Sequence, residues 1–227
     1  KMSERAKNIF KASSEGDKNT ISRILPDATA EELNYEEKVV GWMRTALIVA
    51  AFKGHVEVVQ MLLQSGKVHV DQKDRYGSTA LHWASKNGHV EVVQLLLQHN
   101  ADVNIQDTNG YTALHRASME GRVDKVKLLL QHNADANVKD KNGVTALHVA
   151  SSDGHVKVVQ QLLQHNADVN IKDTDGETAL YRASMHGKVE VVQLLLQNNA
   201  NVNIQNENGE TALHMASYNW HVKVVQL

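Results

Sequence analysis

Histidine is the residue type in this chain best suited to chemistry, and there are 13 of them. His82, His115, His148 and His214 follow the string T-A-L; His55, His89, His155 and His221 follow a break between two apolar runs; His99, His132 and His165 close an apolar run. An imidazole can ligate a metal or act as a general base, so the spacing has to decide. Each set recurs at one position of a repeating segment. Equivalent residues of adjacent stacked units stand about one helix diameter apart, roughly 8–10 Å. Zinc ligands must converge about 2 Å from a single point, so a ladder of single histidines reads as structural. The serines Ser85, Ser118, Ser151, Ser184 and Ser217 each follow an alanine at one repeated position, which marks them as small packing residues. No spacing brings a unique Ser, His and carboxylate together. The absence of cysteine removes disulfides, thiolate catalysis and cysteine zinc sites. No G-x-x-x-x-G-K-[ST] string occurs, so there is no P-loop. The expectation is a protein that is not an enzyme and takes no metal or cofactor.

The elements that carry these residues follow from the same recurrence. The string T-A-L-x-x-A begins at Thr45, Thr79, Thr112, Thr145, Thr178 and Thr211, with a first step of 34 residues and later steps of 33. Such a period means one supersecondary unit stacked on copies of itself. Asp74-Arg75-Tyr76-Gly77 and its equivalents carry turn chemistry. Thr79 and its equivalents are N-cap residues, opening a short helix to about Asn87. Leu81 and Ala84 share one face of it, and Gly88 breaks it. Val90, Val93, Leu96 and Leu97 then keep helical spacing in a second helix. Asn100, Asn133, Asn166 and Asn199 end the second helices in a left-handed conformation, and Val103 and Ile105 alternate into the next turn.

The combination of D-x-x-G-x-T, then T-A-L-H-x-A, then G-H, a Val/Leu helix and a terminal A-D-V-N resembles the ankyrin repeat over nearly the whole chain. Two departures recur: Ala113 and its equivalents replace the family proline, and Asn100 and its equivalents replace the family glycine. The resemblance implies an all-α ankyrin-repeat solenoid of stacked helix-turn-helix units with short β-hairpin or loop connections. Residues 1–227 read as a single ankyrin-repeat domain. Residues 1–34 are a diverged capping repeat, whose Lys7, Lys11, Lys18 and Arg23 interrupt an otherwise apolar stripe. Residues 35–73 form an irregular repeat with an insertion, and 74–106, 107–139, 140–172 and 173–205 are regular. Residues 206–227 are a truncated last repeat. The extra residues fall in Pro26 to Gly41, read as a solvated acidic loop in which Thr29 to Glu32 forms a capping box. Gly41-Trp42-Met43-Arg44 breaks the usual spacing, so no regular hairpin is expected there. Trp220 takes the place of Gly88, so either the turn shifts onto Asn219 or this unit is loosely held. The stop at Leu227 leaves Val222 and Val225 under-covered, which points to a fragment of a longer protein, as Lys1 before Met2 points to an internal start.

With 24 basic and 26 acidic residues the net charge is −2, which supplies no electrostatic reason to bind nucleic acid or anionic membranes. No run approaches 18 apolar residues, and no apolar signal core opens the chain. An intracellular, cytoplasmic, soluble monomer without membrane insertion is the default.

The resemblance implies a non-catalytic protein–protein interaction module or scaffold, binding a partner protein or peptide through its concave face and hairpin tips. The alternatives are a regulatory or inhibitory subunit occluding an enzyme or transcription factor, or the targeting arm of a larger enzyme or channel. Function should lie where the repeats differ. On the first helix of each repeat, the residue before the Ala varies, as do those three and four positions beyond it, which share its face. So do the residues before the Thr: Ser78, Tyr111, Val144, Glu177 and Glu210. Trp, Tyr and Arg dominate binding energy at interfaces, which nominates Tyr76, Trp83, Lys86, Tyr111, Arg116, Met119, Arg182 and Met185 as partner-binding residues. The resemblance further implies that the T-A-L-H histidines hydrogen-bond within the loop region, a role from which Ile48 and Tyr181 depart. It also implies that Asn104, Asn137, Asn170 and Asn203 sit where an asparaginyl hydroxylase acts on such repeats, against which stands the simpler role of turn residues making local hydrogen bonds. If the period is physical, small-angle scattering should give a radius of gyration well above the roughly 17 Å of a compact globule of this length.

Overall fold

The computed structural model describes the backbone of residues 3–39 and 42–227, and their side chains apart from those of 37–43. Lys1, Met2 and Gly41, invoked above, lie outside the described residues. Contacts divide the chain into two compact units, Lys1–Thr108 and Asn109–Leu227.

The first unit opens with α1 (Glu4–Glu15), α2 (Lys18–Ile24) and the one-turn α3 (Ala30–Leu33), followed by strands β1 (Glu37–Val39) and β2 (Trp42–Arg44). Two helix pairs complete it, α4 (Ala46–Lys53) with α5 (Val56–Gln64) and α6 (Ala80–Asn87) with α7 (Val90–Gln98). Helices α1, α4 and α6 pack in one row, and α2, α5 and α7 in another. The second unit repeats the pattern. Its first helices are α8 (Ala113–Met119), α10 (Ala146–Asp153), α12 (Ala179–Met185) and α14 (Ala212–Tyr218). Its second helices are α9 (Val123–Gln131), α11 (Val156–Gln164), α13 (Val189–Gln197) and the short α15 (Val222–Val225).

The two rows have a simple origin. In each first helix the Leu and Ala of T-A-L-x-x-A face the core: Leu81, Ala84, Leu114, Ala117, Leu147 and Ala150 are buried. The alanines present only a methyl group, so adjacent helices of the row approach closely. In α7 the buried set is Val92, Val93, Leu96 and Leu97. Val90 at the helix start is only half-buried, so the core stripe begins two residues later than the spacing of Val90 and Val93 suggests. Burial of each Val or Leu side chain stabilises by about 1.5–3 kcal/mol.

The insertion differs from expectation in two ways. It is not a solvated loop: Leu33 and Ala28 are buried, and Glu32 accepts from Ser3 Oγ at 2.6 Å and pairs with Arg5 at 3.4 Å. The Thr29–Glu32 capping box forms as expected. Asn34 donates to the Lys67 carbonyl and accepts from the His69 amide, at 2.9 and 2.6 Å. Second, a regular antiparallel hairpin forms at the join where none was expected, with Glu37 opposite Arg44 and Val39 opposite Trp42. The expectation was drawn from local turn spacing, whereas a hairpin depends on register between its strands. The regular joins instead hold single bonds, such as Lys141 N to Asn109 O and Thr174 N to Asn142 O.

Helix ends fall where the residue types put them. Asn100, Asn133, Asn166 and Asn199 all have φ between 60° and 64°. Trp220 takes φ 59° itself while Asn219 stays at −90°. The turn therefore does not shift onto Asn219, and the left-handed conformation is carried by a bulky side chain that lies exposed. Val222 and Val225 are also exposed.

Asn is the next-best residue to Gly in the left-handed region, and the exposed Asn199 side chain can be removed without opening the core. Asn199→Gly should stabilise by about 0.5 kcal/mol, raising the melting temperature by about 1–2 °C; calorimetry of the two proteins checks it.

Candidate functional site

The repeats starting at 74, 140, 173 and 206 build a frame from their turns. In the run D-x-x-G-x-T the carboxylate Oδ1 accepts from the second and fourth amides that follow. Asp74 takes Tyr76 and Ser78 at 2.9 Å, Asp140 takes Asn142 and Val144 at 2.8 Å, and Asp173 takes Asp175 and Glu177 at 3.0 and 2.8 Å. Asn206 makes the same two bonds through its amide oxygen, at 3.0 and 2.8 Å. With Oδ1 fixed, Oδ2 faces the first helix of the same repeat, at the residue before its Ala. Trp83 Nε1 donates to Asp74 Oδ2 at 2.9 Å, and Arg182 Nη2 to Asp173 Oδ2 at 2.6 Å. Arg182 Nε also lies 3.3 Å from Glu177 Oε2. The two nominated side chains are thus held in place from within their own repeats.

The T-A-L-H histidines are the second part of the frame. Thr145 N donates to His148 Nδ1 at 3.2 Å. A nitrogen that accepts carries no proton, so the proton sits on Nε2. That nitrogen donates to Glu177 O of the following repeat at 3.2 Å, as His115 Nε2 donates to Val144 O at 3.1 Å. Tyr181, in the histidine's place, makes the same connection with its side chain. Its hydroxyl donates to Glu210 Oε2 at 3.3 Å and accepts from Asn206 Nδ2 at 3.0 Å. Burial pushes the Tyr181 phenol up to about 12, with the charges of Glu177 and Glu210 adding to it. Burial, then the nearby Arg182 charge, brings His148 down to about 4. The buried imidazole is thus a neutral tie between repeats.

The nominated residues fall into two groups, one in each unit. In the first unit Trp83 and Lys86 lie together on α6, with the Lys86 ammonium 5.8 Å from the Trp83 ring centre. The Trp83 ring meets Phe52 edge-on at 5.4 Å, and the Arg44 guanidinium lies 4.2 Å from Phe52 and 4.5 Å from Trp83. Arg44 is buried, and that burial lowers its pKa against the opposing influence of Asp74. Tyr76, 39% exposed, stands on the turn with the Arg75 guanidinium 5.0 Å from its ring. Arg44 was missed among the candidates, although it occupies the position before Thr45 that corresponds to Tyr111 before Thr112.

In the second unit Arg116 lies over the Tyr111 ring at 4.6 Å. Met119 and Met185 have half-buried side chains, and their carbonyls accept from His155 and His221 at 3.1 and 3.0 Å. Ser78 and Val144, grouped above with the variable surface, are buried, because the residue before the cap is drawn into the turn. Of the hairpin asparagines, Asn137 Nδ2 donates to Asn166 O at 3.2 Å and Asn137 Oδ1 accepts from Asp168 N at 2.7 Å. Asn170 Oδ1 likewise accepts from Asn201 N at 2.8 Å. These bonds reach 29 to 31 residues along the chain into the next repeat, so the asparagine side chains tie adjacent turns together instead of bonding locally. Among the described residues no group of three or more His, Cys, Asp and Glu side chains could hold a metal ion, and no helix is long and apolar enough to cross a membrane.

A family model described as ankyrin repeats (3 copies) matches residues 9–107, 101–173 and 165–227. The chain belongs to the ankyrin-repeat family. Over 64 residues it is 43% identical to ankyrin repeat domain-containing protein 29 of Danio rerio, a stretch that is 28% of this chain and 22% of that protein. It is 37% identical over 75 residues to the mitochondrial liver isoform of glutaminase from Mus musculus, covering 33% of this chain and 12% of that one. With the palmitoyltransferase akr1 of Schizosaccharomyces pombe it shares 36% identity over 59 residues, 26% of this chain and 9% of that protein. The chain thus matches about a fifth or less of the length of each of these relatives. These ankyrin repeats keep their frame constant and vary what it presents.

The neutral histidine has a measurable consequence. Its folded pKa, about 4, lies below the ordinary 6.5, so the unfolded chain binds more protons between those values and stability rises with pH across that window. The contribution is fully present above about pH 6.5 and is lost as the pH falls toward 4, on the order of 3 kcal/mol in all. A proton NMR titration should find the His148 ring still neutral at pH 5, and denaturation midpoints should fall less between pH 7 and 4.5 in His148→Gln than in the parent protein.

Proposed function

We propose that this chain is a non-catalytic protein-binding module, which engages a partner protein or peptide through the exposed faces of its first helices and the adjoining turn tips. One observation carries this reading. The turn Asp or Asn makes the same two bonds in the repeats starting at 74, 140, 173 and 206, and His115 and His148 make the same connection to the next repeat, while the residue after the histidine position changes from Trp83 to Arg116, Val149, Arg182 and Met215. A constant frame with varied, partly exposed aromatic and basic side chains is the arrangement that interface hot spots use. Ankyrin repeats as a family serve protein–protein interaction, and the absence of cysteine supports a reducing, intracellular setting.

The targeting arm of a larger protein is the second reading. It is favoured by the similarity to short stretches of a glutaminase and a palmitoyltransferase, whose activities belong to those proteins.

The test uses residues whose side chains are not part of the frame. Trp83 and Arg182 are unsuitable alone, because each is bonded to its turn aspartate. Affinity capture with the whole chain, followed by mass spectrometry, would identify the partner. Lys86→Glu, Met119→Ala and Met185→Ala combined should then weaken binding by at least about 2 kcal/mol, roughly 30-fold, with an unchanged melting temperature. Undiminished binding by this folded variant would refute the proposed face.

A further inference from the structure

One repeat lacks a part that two others have. In the repeats starting at Asp74 and Asp173 the outer carboxylate oxygen receives a side-chain donor from the residue before the helix alanine, Trp83 Nε1 at 2.9 Å and Arg182 Nη2 at 2.6 Å. In the repeat starting at Asp140 that residue is Val149, which has no donor. The turn itself is unchanged: Asp140 Oδ1 accepts from Asn142 and Val144 at 2.8 Å each. The identical hold on Oδ1 directs Asp140 Oδ2 at α10 as its counterparts are directed at α6 and α12. Asp140 is only 7% exposed, and among the described residues nothing donates to this oxygen.

A carboxylate oxygen of a largely buried residue that receives no donor is less favourable than one that is hydrogen-bonded. The oxygen is not sealed off: it is absent from the side-chain atoms that are both fully enclosed and without a partner. A group arriving from outside can therefore complete it. The 173 repeat shows which group fits. There a guanidinium spans two carboxylates, Asp173 at 2.6 Å and Glu177 at 3.3 Å. In the 140 repeat the position of Glu177 is taken by Val144, but Asp153 lies one helical turn beyond Val149 on the same face of α10. Its side chain is exposed, and it makes no ion pair among the described residues.

We infer that Asp140 Oδ2, with Val149 next to it and Asp153 one helical turn further along the same face of α10, is a recognition point for an arginine side chain of the bound partner. The partner's guanidinium takes the place that Arg182 fills internally in the 173 repeat. Arginine suits it better than lysine, since a planar fork can bond two carboxylates at once while an ammonium is a point charge. The inference rests on the binding face proposed above and adds the chemistry of the partner to it.

Titration of the ¹⁵N-labelled chain with N-acetyl-arginine amide, followed by NMR, tests it. The neutral isostere N-acetyl-citrulline amide and N-acetyl-lysine amide are the controls. The arginine probe should shift the amide signals of Asn142 and Val144, which Asp140 holds, and bind at least tenfold more tightly than either control. Asp140→Asn should lose at least tenfold in that affinity; Asn206, which makes both turn bonds, shows that asparagine preserves the turn. Val149→Arg supplies the missing donor from within and should lose the probe to the same degree. Equal affinity for arginine and citrulline, equal affinity for arginine and lysine, or retained affinity in either folded variant overturns the inference. Partner capture that depends on the first-helix face while the arginine probe fails would sink only this inference. Capture independent of that face, with the probe bound, would sink only the broader reading.

Discussion

An imidazole that accepts on one nitrogen must donate from the other, and this constraint joins one repeat to the next. Because the Thr145 amide occupies His148 Nδ1, the proton is confined to Nε2, and Nε2 reaches the main chain of the following repeat at Glu177 O. The N-cap that starts a helix therefore also orients the bond that stacks it. In these repeats local structure and stacking are therefore set by a single side chain. Burial and the nearby Arg182 charge keep the His148 ring neutral, as this arrangement requires, since a second proton would put a donor where Thr145 N already donates.

The second histidine set depends on an absence of atoms. A Cβ on Gly121 would stand 2.7 Å from the His155 ring, and one on Gly187 would stand 2.6 Å from His221. The glycine that ends a first helix with φ near 65° thus also leaves a notch for the imidazole of the next repeat. Gly54 and His89 stand in the same relation. The pair G-H recurs because the glycine of one unit and the histidine of the next fit together, although within a unit the two are neighbours in sequence only.

Much of this was legible before the structure. The period, the threonine caps, the left-handed asparagines and the structural role of the histidines all follow from residue type and local spacing. What escaped depends on contacts whose spacing carries no local signature. The nine-residue reach from Asp74 to Trp83 crosses a turn and a cap, so no helical or strand period connects them. The β1–β2 hairpin is set by cross-strand register, and Arg44 gains its place from two rings on different helices. The candidate site was legible as a set of varying positions. Its division into side chains tied down by their own turn, such as Trp83 and Arg182, and side chains that are not, such as Lys86 and Met119, needed the hydrogen bonds.

The histidine ties between repeats end on main-chain carbonyls, and a carbonyl has no residue identity. His115 bonds Val144 O and His148 bonds Glu177 O, yet either histidine would find an equivalent acceptor in any unit placed after it. Removing residues 140–172 would present His115 with Glu177 O in the same register. The histidine joints are thus interchangeable, whereas the Tyr181 joint needs Glu210 and Asn206 after it; units joined by histidine can be removed, added or reordered at the level of the coding sequence without redesigning a joint. What such shuffling would alter is the order of the side chains on the variable face, so that new surfaces arise by rearranging old ones rather than by residue-by-residue substitution.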